Sequence, residues 1–186
     1  MAIEIEKKYR LDKRLSVDIT SRLKSAGAEF TGDVFEENFL HRGGSLDERG
    51  AVLRVRKTGD TTMLTYKERF RSDSEIKHRI EYETEVADVD AVENIIKALG
   101  FTLSVVYEKH RRTWHFRDVE VVLDELPFGY YMEIEGTVEA IAETEKLLGF
   151  EELEAEPRGY PRLTVKYGRQ IGEIFEARFD STAKAV

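Results

Sequence analysis

No cysteine occurs among the 186 residues. Disulfide frameworks, zinc-thiolate sites, iron-sulfur ligation and a cysteine nucleophile are therefore excluded, and any metal must be held by oxygen or imidazole. Imidazole is scarce too: His41, His78, His110 and His115 are scattered and lack the spacing of a metal site. With only 3 prolines, little in the chain interrupts regular structure covalently. Nothing approaches the run of about 18 apolar residues that a membrane-spanning helix requires. Met1 to Tyr9 carries Glu4, Glu6, Lys7 and Lys8 in place of an apolar run, so neither a signal peptide nor an anchor is expected. These absences predict a soluble, cytoplasmic protein. The sequence also lacks a Gly-x-x-x-x-Gly-Lys-Ser/Thr loop and a Gly-x-Gly-x-x-Gly fingerprint. Ser16, Ser21 and Ser45 have no recognisable nucleophile context.

Charge is abundant. Lys and Arg number 29 against 37 Asp and Glu, a net charge of -8 that argues against generic binding to nucleic acid or an anionic bilayer. Charged residues make up 35% of the chain and hydrophobic ones 41%, enough apolar material for one well-cored domain of this length.

Period-two alternation predicts strands over Ala2 to Arg10, about Asp33 to His41, Ala51 to Lys57, Thr62 to Arg69, Ile76 to Glu85, Leu103 to Phe116, Val119 to Asp124 and Tyr130 to Glu135. Helical spacing predicts three helices. The first is capped by Ser16 or Asp18 and carries Ile19 and Leu23. The second is capped by Asp88 and carries Val92, Ile95, Ile96 and Leu99. The third runs from about Val138 to Leu148. Gly43-Gly44 and Leu46 to Gly50 read as a loop. Residues 1–170 form the expected domain, with 171–186 as an extension: Ile171, Ile174, Phe175 and Phe179 suggest a short docked helix, and Ser181 to Val186 a frayed end.

Side chains two apart on a strand point the same way. Glu4, Glu6 and Lys8 therefore share a face, as do Arg54 and Arg56, Thr65 and Lys67, Glu81 and Glu83, Lys109 and Arg111, and Glu133 and Glu135. The opposite faces carry Ile3 and Ile5, Leu53 and Val55, Ile80 and Tyr82, and Met132 and Ile134, which predicts a sheet with one apolar and one ionic face. The ionic face could simply meet water. Against that stands the undiluted recurrence of like-charged pairs, which repel unless a counter-charge or a ligand lies between them. A sheet curved into a closed channel would gather them. Carboxylate pairs suit Mg²⁺ or Mn²⁺ and the basic pairs suit a polyanion, so a phosphate chain with its metal needs both signs together. Trp114 reads as core rather than as a base-stacking platform.

Glu4-Ile5-Glu6-Lys7-Lys8 matches a Glu-x-Glu-x-Lys signature, and Leu53-Arg54-Val55-Arg56, Thr65-Tyr66-Lys67, Glu81-Tyr82-Glu83, Lys109-His110-Arg111-Arg112, Leu123-Asp124 and Glu133-Ile134-Glu135-Gly136 follow in order. Together they resemble the CYTH superfamily, the triphosphate tunnel metalloenzymes. The stretch from Leu123 to Gly136 looks most like the class IV adenylyl cyclase-like branch, whose relatives include thiamine triphosphatases and inorganic triphosphatases. The resemblance implies an α+β fold, an antiparallel eight-stranded closed β-barrel with helices packed outside. It implies Glu4, Glu6, Glu133 and Glu135 as metal ligands for Mg²⁺ or Mn²⁺, with Lys8, Glu4 and Glu6 as the catalytic set. It implies Lys8, Arg54, Arg56, Lys67, Lys109 and Arg111 as triphosphate contacts, and Glu81, Glu83 and Asp124 as supporting charges. Lys166 matches a late tunnel lysine, although Gly159-Tyr160-Pro161-Arg162-Leu163 departs from the family's usual carboxy-terminal helix. The implied activity is metal-dependent hydrolysis of tripolyphosphate, thiamine triphosphate or a nucleoside triphosphate. The alternatives are cyclisation of ATP to cyclic AMP and a non-catalytic polyphosphate-binding module. The expected partner is the small triphosphate alone, with no nucleic acid or membrane, in a monomer or homodimer.

Overall fold

A computed structural model describes residues 2–69 and 77–180, with side chains described for 5–68 and 80–180. The elements in chain order are β1 (Ala2–Leu11), α1 (Lys13–Ser25), β2 (Glu29–Arg42), α2 (Gly44–Arg49), β3 (Ala51–Thr58), β4 (Thr61–Arg69), β5 (Lys77–Glu85), α3 (Val89–Ala98), β6 (Thr102–Phe116), β7 (Val119–Leu126), β8 (Gly129–Glu135), α4 (Val138–Leu148), α5 (Tyr160–Tyr167), β9 (Arg169–Ile171) and β10 (Ile174–Ala177).

The strands pair in the order β2-β3-β4-β5-β1-β8-β7-β6, and β2 then pairs with β6, so eight antiparallel strands close on themselves. The closing seam is long, running from Glu29↔His115 to Arg42↔Thr102. Closure gives the period-two pattern a geometric consequence: one face of every strand points inward. The inward set holds the charged pairs, the reverse of a water-soluble sandwich. The apolar set faces outward and must be covered.

Helices α1 and α4 provide that cover over β1, β8 and β7. Ile19 and Leu23 of α1 and Ile141 and Leu148 of α4 pack with Tyr9, Val121, Leu123, Met132 and Ile134, and Trp114 belongs to the same core. Asp12, not Ser16 or Asp18, caps α1, accepting from the Leu15 amide at 2.7 Å. Asp88 caps α3 as the sequence predicts, accepting from Ala91. The stripe on α3 is only partly used, however. Ile96 is buried while Ile95 and Leu99 stay exposed, and Tyr82 on the outer face of β5 is exposed as well.

Two local expectations are corrected. Leu46 to Gly50 is not a loop but most of α2, fixed by burial of Leu46 and stopped at Gly50 with φ 67°. In place of the short docked helix expected to carry Ile171, Ile174, Phe175 and Phe179, residues 169–177 form a two-stranded hairpin, because Gly172 turns the chain at φ 60° and sets Ile171 opposite Ile174. β10 then lies parallel to Val105–Tyr107 of β6, a flank that β7 does not reach. Gly168 makes the junction possible: a Cβ there would meet the Glu176 carbonyl at 2.4 Å and the Thr164 carbonyl at 2.6 Å. The expected frayed end, Ser181 to Val186, lies outside the described residues. Among the described residues no helix is long and apolar enough to cross a membrane.

α5 seats Tyr160 and Leu163 against Leu40, Val105, Tyr107 and Tyr131. Leu40 and Tyr107 line the barrel interior, so part of the interior is filled by protein. The rest is a cavity.

Candidate active site

The cavity holds about 650 Å³ and is lined from β1, β3, β4, β5, β6 and β8 by Glu6 and Lys8, Arg54 and Arg56, Lys67, Glu81 and Glu83, Lys109 and Arg111, and Glu133 and Glu135. Arg42, Glu120 and Arg162 complete its charged wall, and basic side chains outnumber carboxylates there although the chain carries a net charge of -8. Glu4 also belongs to β1, where its backbone pairs with Arg79, but its side chain lies outside the described residues.

Every gripping cation that was expected is met by a carboxylate. Lys8 Nζ lies 3.0 Å from Glu133 Oε1, and Arg111 Nη2 lies 2.7 Å from the other oxygen of the same group. Arg111 also forks onto Asp124, with Nε to Oδ1 at 2.8 Å and Nη2 to Oδ2 at 2.6 Å. Lys109 sits between Glu36 at 3.3 Å and Asp124 at 3.4 Å. Arg56 reaches Glu83 at 2.9 Å and Glu36 at 3.7 Å. Arg54 donates to Thr65 Oγ1, which donates to Glu83 at 2.6 Å, and Lys67 meets Glu81 at 2.6 Å. The repulsion expected between like charges two residues apart is thus relieved from the facing strands. A polyanion entering the cavity would exchange with these carboxylates rather than meet bare cations.

Lys8, Lys109 and Asp124 are at most 2% exposed. Such burial is costly unless every group is paired, and it shifts the groups' proton affinities. Burial would raise the Glu36 carboxyl, but Lys109, Arg111, Arg56 and Arg54 override it and hold it down at about 2. Burial, followed by the nearby Arg111, pushes the Lys109 ammonium down against the pull of Asp124, Glu36 and Glu133. Burial also disfavours the Arg111 charge, and Asp124 more than restores it. Burial pushes the Tyr160 phenol well up, with Asp124 and Glu133 adding to it, so Tyr160 is a neutral donor.

The Glu36 shift yields a prediction. A carboxyl depressed from 4.5 to about 2 contributes stability that is complete above 4.5 and is lost as pH falls through about 2. The contribution is on the order of 3 kcal/mol. Urea midpoints measured across this acid window should fall in the parent, and Glu36→Gln should flatten that fall. Parallel profiles for the two proteins would show that Glu36 carries no such linkage.

Lys166 requires a correction. It is exposed on the last turn of α5, over the Tyr167 ring, and does not line the cavity, because α5 approaches the cavity only at its first turn. Arg162, one turn earlier, lines it instead. The sequence reading also passed over Glu36, Asn38 and Tyr160. Tyr160 donates to Asp124 Oδ2 at 2.6 Å and places its ring 3.5 Å from Lys8 Nζ.

The donor chemistry fits a hard divalent cation. Glu6, Glu133 and Glu135 offer oxygen only, Glu6 and Glu135 are register partners across β1 and β8, and Lys8 and Glu133 are the next inward pair. Among the described residues no three acidic side chains are gathered tightly enough to hold a metal ion, and Glu133 is engaged by Lys8 and Arg111.

The family model for the CYTH domain matches residues 2–160. The chain belongs to the CYTH domain family. It is 30% identical over 149 residues to a Methanocaldococcus jannaschii protein provisionally named an adenylate cyclase, covering 78% of this chain and 83% of that one. Among solved structures, a protein of Pyrococcus horikoshii OT3 superposes with a TM-score of 0.75 at 28% identity, covering 86% of this chain and 98% of that one. A Hippeastrum protein, provisionally an adenylyl cyclase and described as having a dominant triphosphatase activity, shares the CYTH fold with a TM-score of 0.66 at 19% identity, covering 91% of this chain and 98% of that one. CYTH enzymes are triphosphatases or cyclases and depend in general on a divalent metal.

Proposed function

We propose that this CYTH protein is a divalent-metal-dependent phosphohydrolase acting on the triphosphate moiety of inorganic tripolyphosphate or of an organic triphosphate such as thiamine triphosphate or a nucleoside triphosphate. The observation that carries the reading is the barrel cavity in which Lys8, Arg54, Arg56, Lys67, Lys109 and Arg111 converge, each already holding an exchangeable carboxylate. Such an array matches a chain of phosphoryl oxygens, with the arginines offering forked donors and the lysines point charges.

Glu6, Glu133 and Glu135, with Glu4, would hold Mg²⁺ or Mn²⁺, which when bound supplies Lewis-acid neutralisation of phosphoryl oxygens. In hydrolysis a water oxygen adds to the terminal phosphorus, the bond to the bridging oxygen breaks with its electron pair going to the leaving phosphate chain, and the proton lost by the water passes to that chain or to solvent. Lys8, Lys109 and Arg111 would set fixed positive charge against the negative charge growing on the chain. Asp124, Glu81 and Glu83 hold the cations in place.

Cyclisation of ATP is the second reading, favoured by the name of the Methanocaldococcus jannaschii relative. It requires an aromatic or apolar seat for adenine. Among the described residues the aromatic side chains lining the cavity are Tyr107 and Tyr160, both buried, and the Tyr160 ring already lies against Lys8. This weighs toward hydrolysis. Incubation with Mg²⁺ or Mn²⁺ and tripolyphosphate, thiamine triphosphate or ATP, followed by chromatography, should yield orthophosphate. Cyclic AMP and pyrophosphate as the main products from ATP would establish the cyclase, and binding without products a non-catalytic module.

Arg56 gives a kinetic prediction on the same assay. Its guanidinium spans Glu36 and Glu83 at the cavity wall, so Arg56→Ala should chiefly weaken the ground-state grip and raise KM about 10-fold with kcat little changed. Arg56→Lys should recover part of that loss, restoring charge without the fork. Unchanged KM and kcat in both variants would place Arg56 outside the binding machinery.

A further inference from the structure

We propose that Tyr160 is a positioning residue for Lys8: its ring face holds the Lys8 ammonium in the cavity while its hydroxyl shares Asp124 with the neighbouring lysine and keeps that contact long. The inference rests on the triphosphate reading above and adds to it a residue outside the barrel strands.

Lys8 is 1% exposed, and the partners described around its ammonium are Glu133 at 3.0 Å, the Arg158 carbonyl at 3.4 Å and the Tyr160 ring centroid at 3.5 Å. An ammonium has three donors to satisfy. A carboxylate and a carbonyl take two directions, and an aromatic face takes the third. The ring attracts the cation through its quadrupole without contributing a formal negative charge, so Lys8 keeps more of its positive potential for an incoming anion than a second carboxylate would leave it.

The hydroxyl acts on the other side of the same array. Asp124 Oδ2 accepts from Tyr160 at 2.6 Å and from Arg111 at 2.6 Å, while Lys109 stands off at 3.4 Å. Two shorter donors share that oxygen with Lys109, which keeps the Lys109 contact at its longer 3.4 Å. The ring itself is fixed by packing, edge-on to Tyr131 with centroids 5.6 Å apart at 80° and against Tyr107 at 6.0 Å. Tyr160 opens α5, and Glu156, four residues earlier, donates its amide to the Lys8 carbonyl at 2.7 Å. The segment leading into α5 therefore holds the backbone of Lys8 as Tyr160 holds its tip.

Calorimetric titration with tripolyphosphate in the absence of metal tests this on the parent, Tyr160→Phe, Tyr160→Leu, Lys8→Ala and the Lys8→Ala/Tyr160→Leu double variant. Tyr160→Phe keeps the ring and should bind about 5-fold more weakly. Tyr160→Leu loses the ring and should bind about 30-fold more weakly. In the Lys8→Ala background the leucine should cost only about the 5-fold that loss of the hydroxyl costs by itself, because the share carried by the ring acts through Lys8. Equal losses in both backgrounds, or no loss in Tyr160→Leu, would overturn the proposal. Should Tyr160→Leu lose its fold by circular dichroism, the ring current decides: the Lys8 Cε protons, assigned by their disappearance in Lys8→Arg, should resonate upfield of other lysines in the parent and in Tyr160→Phe. An ordinary position would overturn it. A parent that does not bind tripolyphosphate overturns the functional reading and this inference with it, whereas a binding parent with indifferent Tyr160 variants overturns this inference alone.

Discussion

Glu133→Gln should lower kcat by about 10²–10³-fold and leave the fold in place. The glutamate bridges two cations, Lys8 at 3.0 Å through one oxygen and Arg111 at 2.7 Å through the other. Glutamine keeps the shape and one acceptor but removes the negative charge. Two opposite effects follow from that one change. The cations lose a competitor, so metal-free tripolyphosphate should bind as tightly as before or more tightly. The oxygen set around Glu6 and Glu135 loses a charge that a divalent ion requires, so turnover should collapse. Calorimetry without metal, steady-state kinetics at saturating Mg²⁺ and circular dichroism separate these effects. Full turnover in the variant would sink the metal-holding role, and loss of fold together with turnover would leave that role unsupported.

Asp124→Ala should be the most destabilising single change in the cavity. The carboxylate is 2% exposed and receives Arg111 twice, Tyr160 once and Lys109 at longer range. Its removal takes the shared carboxylate from buried Lys109 and part-buried Arg111 and leaves each with one, Glu36 and Glu133. Breaking such a pair costs about 3–5 kcal/mol, which in a chain of this size corresponds to a fall in Tm of roughly 10–15 °C. The sign of the ligand response is more telling than the size of the loss. Tripolyphosphate would supply the missing negative charge, so scanning calorimetry should show a larger ligand-induced rise in Tm for the variant than for the parent. A fall of less than about 2 °C, or an equal ligand response in both proteins, would mean that Asp124 does not organise the basic wall.

The barrel was legible because its strands carry a strict two-residue alternation of opposed character. In β1, β3 and β8 the like-charged pairs share one parity and the apolar pairs the other, with Lys7 and Lys57 the charged exceptions on the apolar side, so the inward face could be named before closure was known. β2 was harder. Glu36 and Glu37 are adjacent and of one charge, so parity alone does not say which faces the cavity, and Glu36 was overlooked although it meets both Lys109 and Arg56. The signal that could have found it is its spacing to Asn38 and Leu40. Tyr160 and Arg162 were not weighed because their place depends on where α5 docks, a tertiary contact with no local periodicity. The same cause misplaced Lys166 and made the 169–177 hairpin read as a helix: Ile171, Ile174 and Phe175 have helical spacing, and the Gly172 turn together with the open flank of β6 makes them strands. Cysteine-free composition and the absence of phosphate-loop motifs narrowed the chemistry, but the carboxylate partner of each cation came from strand order.

The most direct measurement is incubation of the parent protein with Mg²⁺ and tripolyphosphate, or ATP, in ¹⁸O-enriched water, followed by mass spectrometry of the products. Hydrolysis in this cavity predicts orthophosphate or a phosphate product carrying one oxygen from solvent per bond broken, with cyclic AMP absent from the ATP reaction. Cyclic AMP with unlabelled pyrophosphate, or intact triphosphate after saturating incubation, would contradict it.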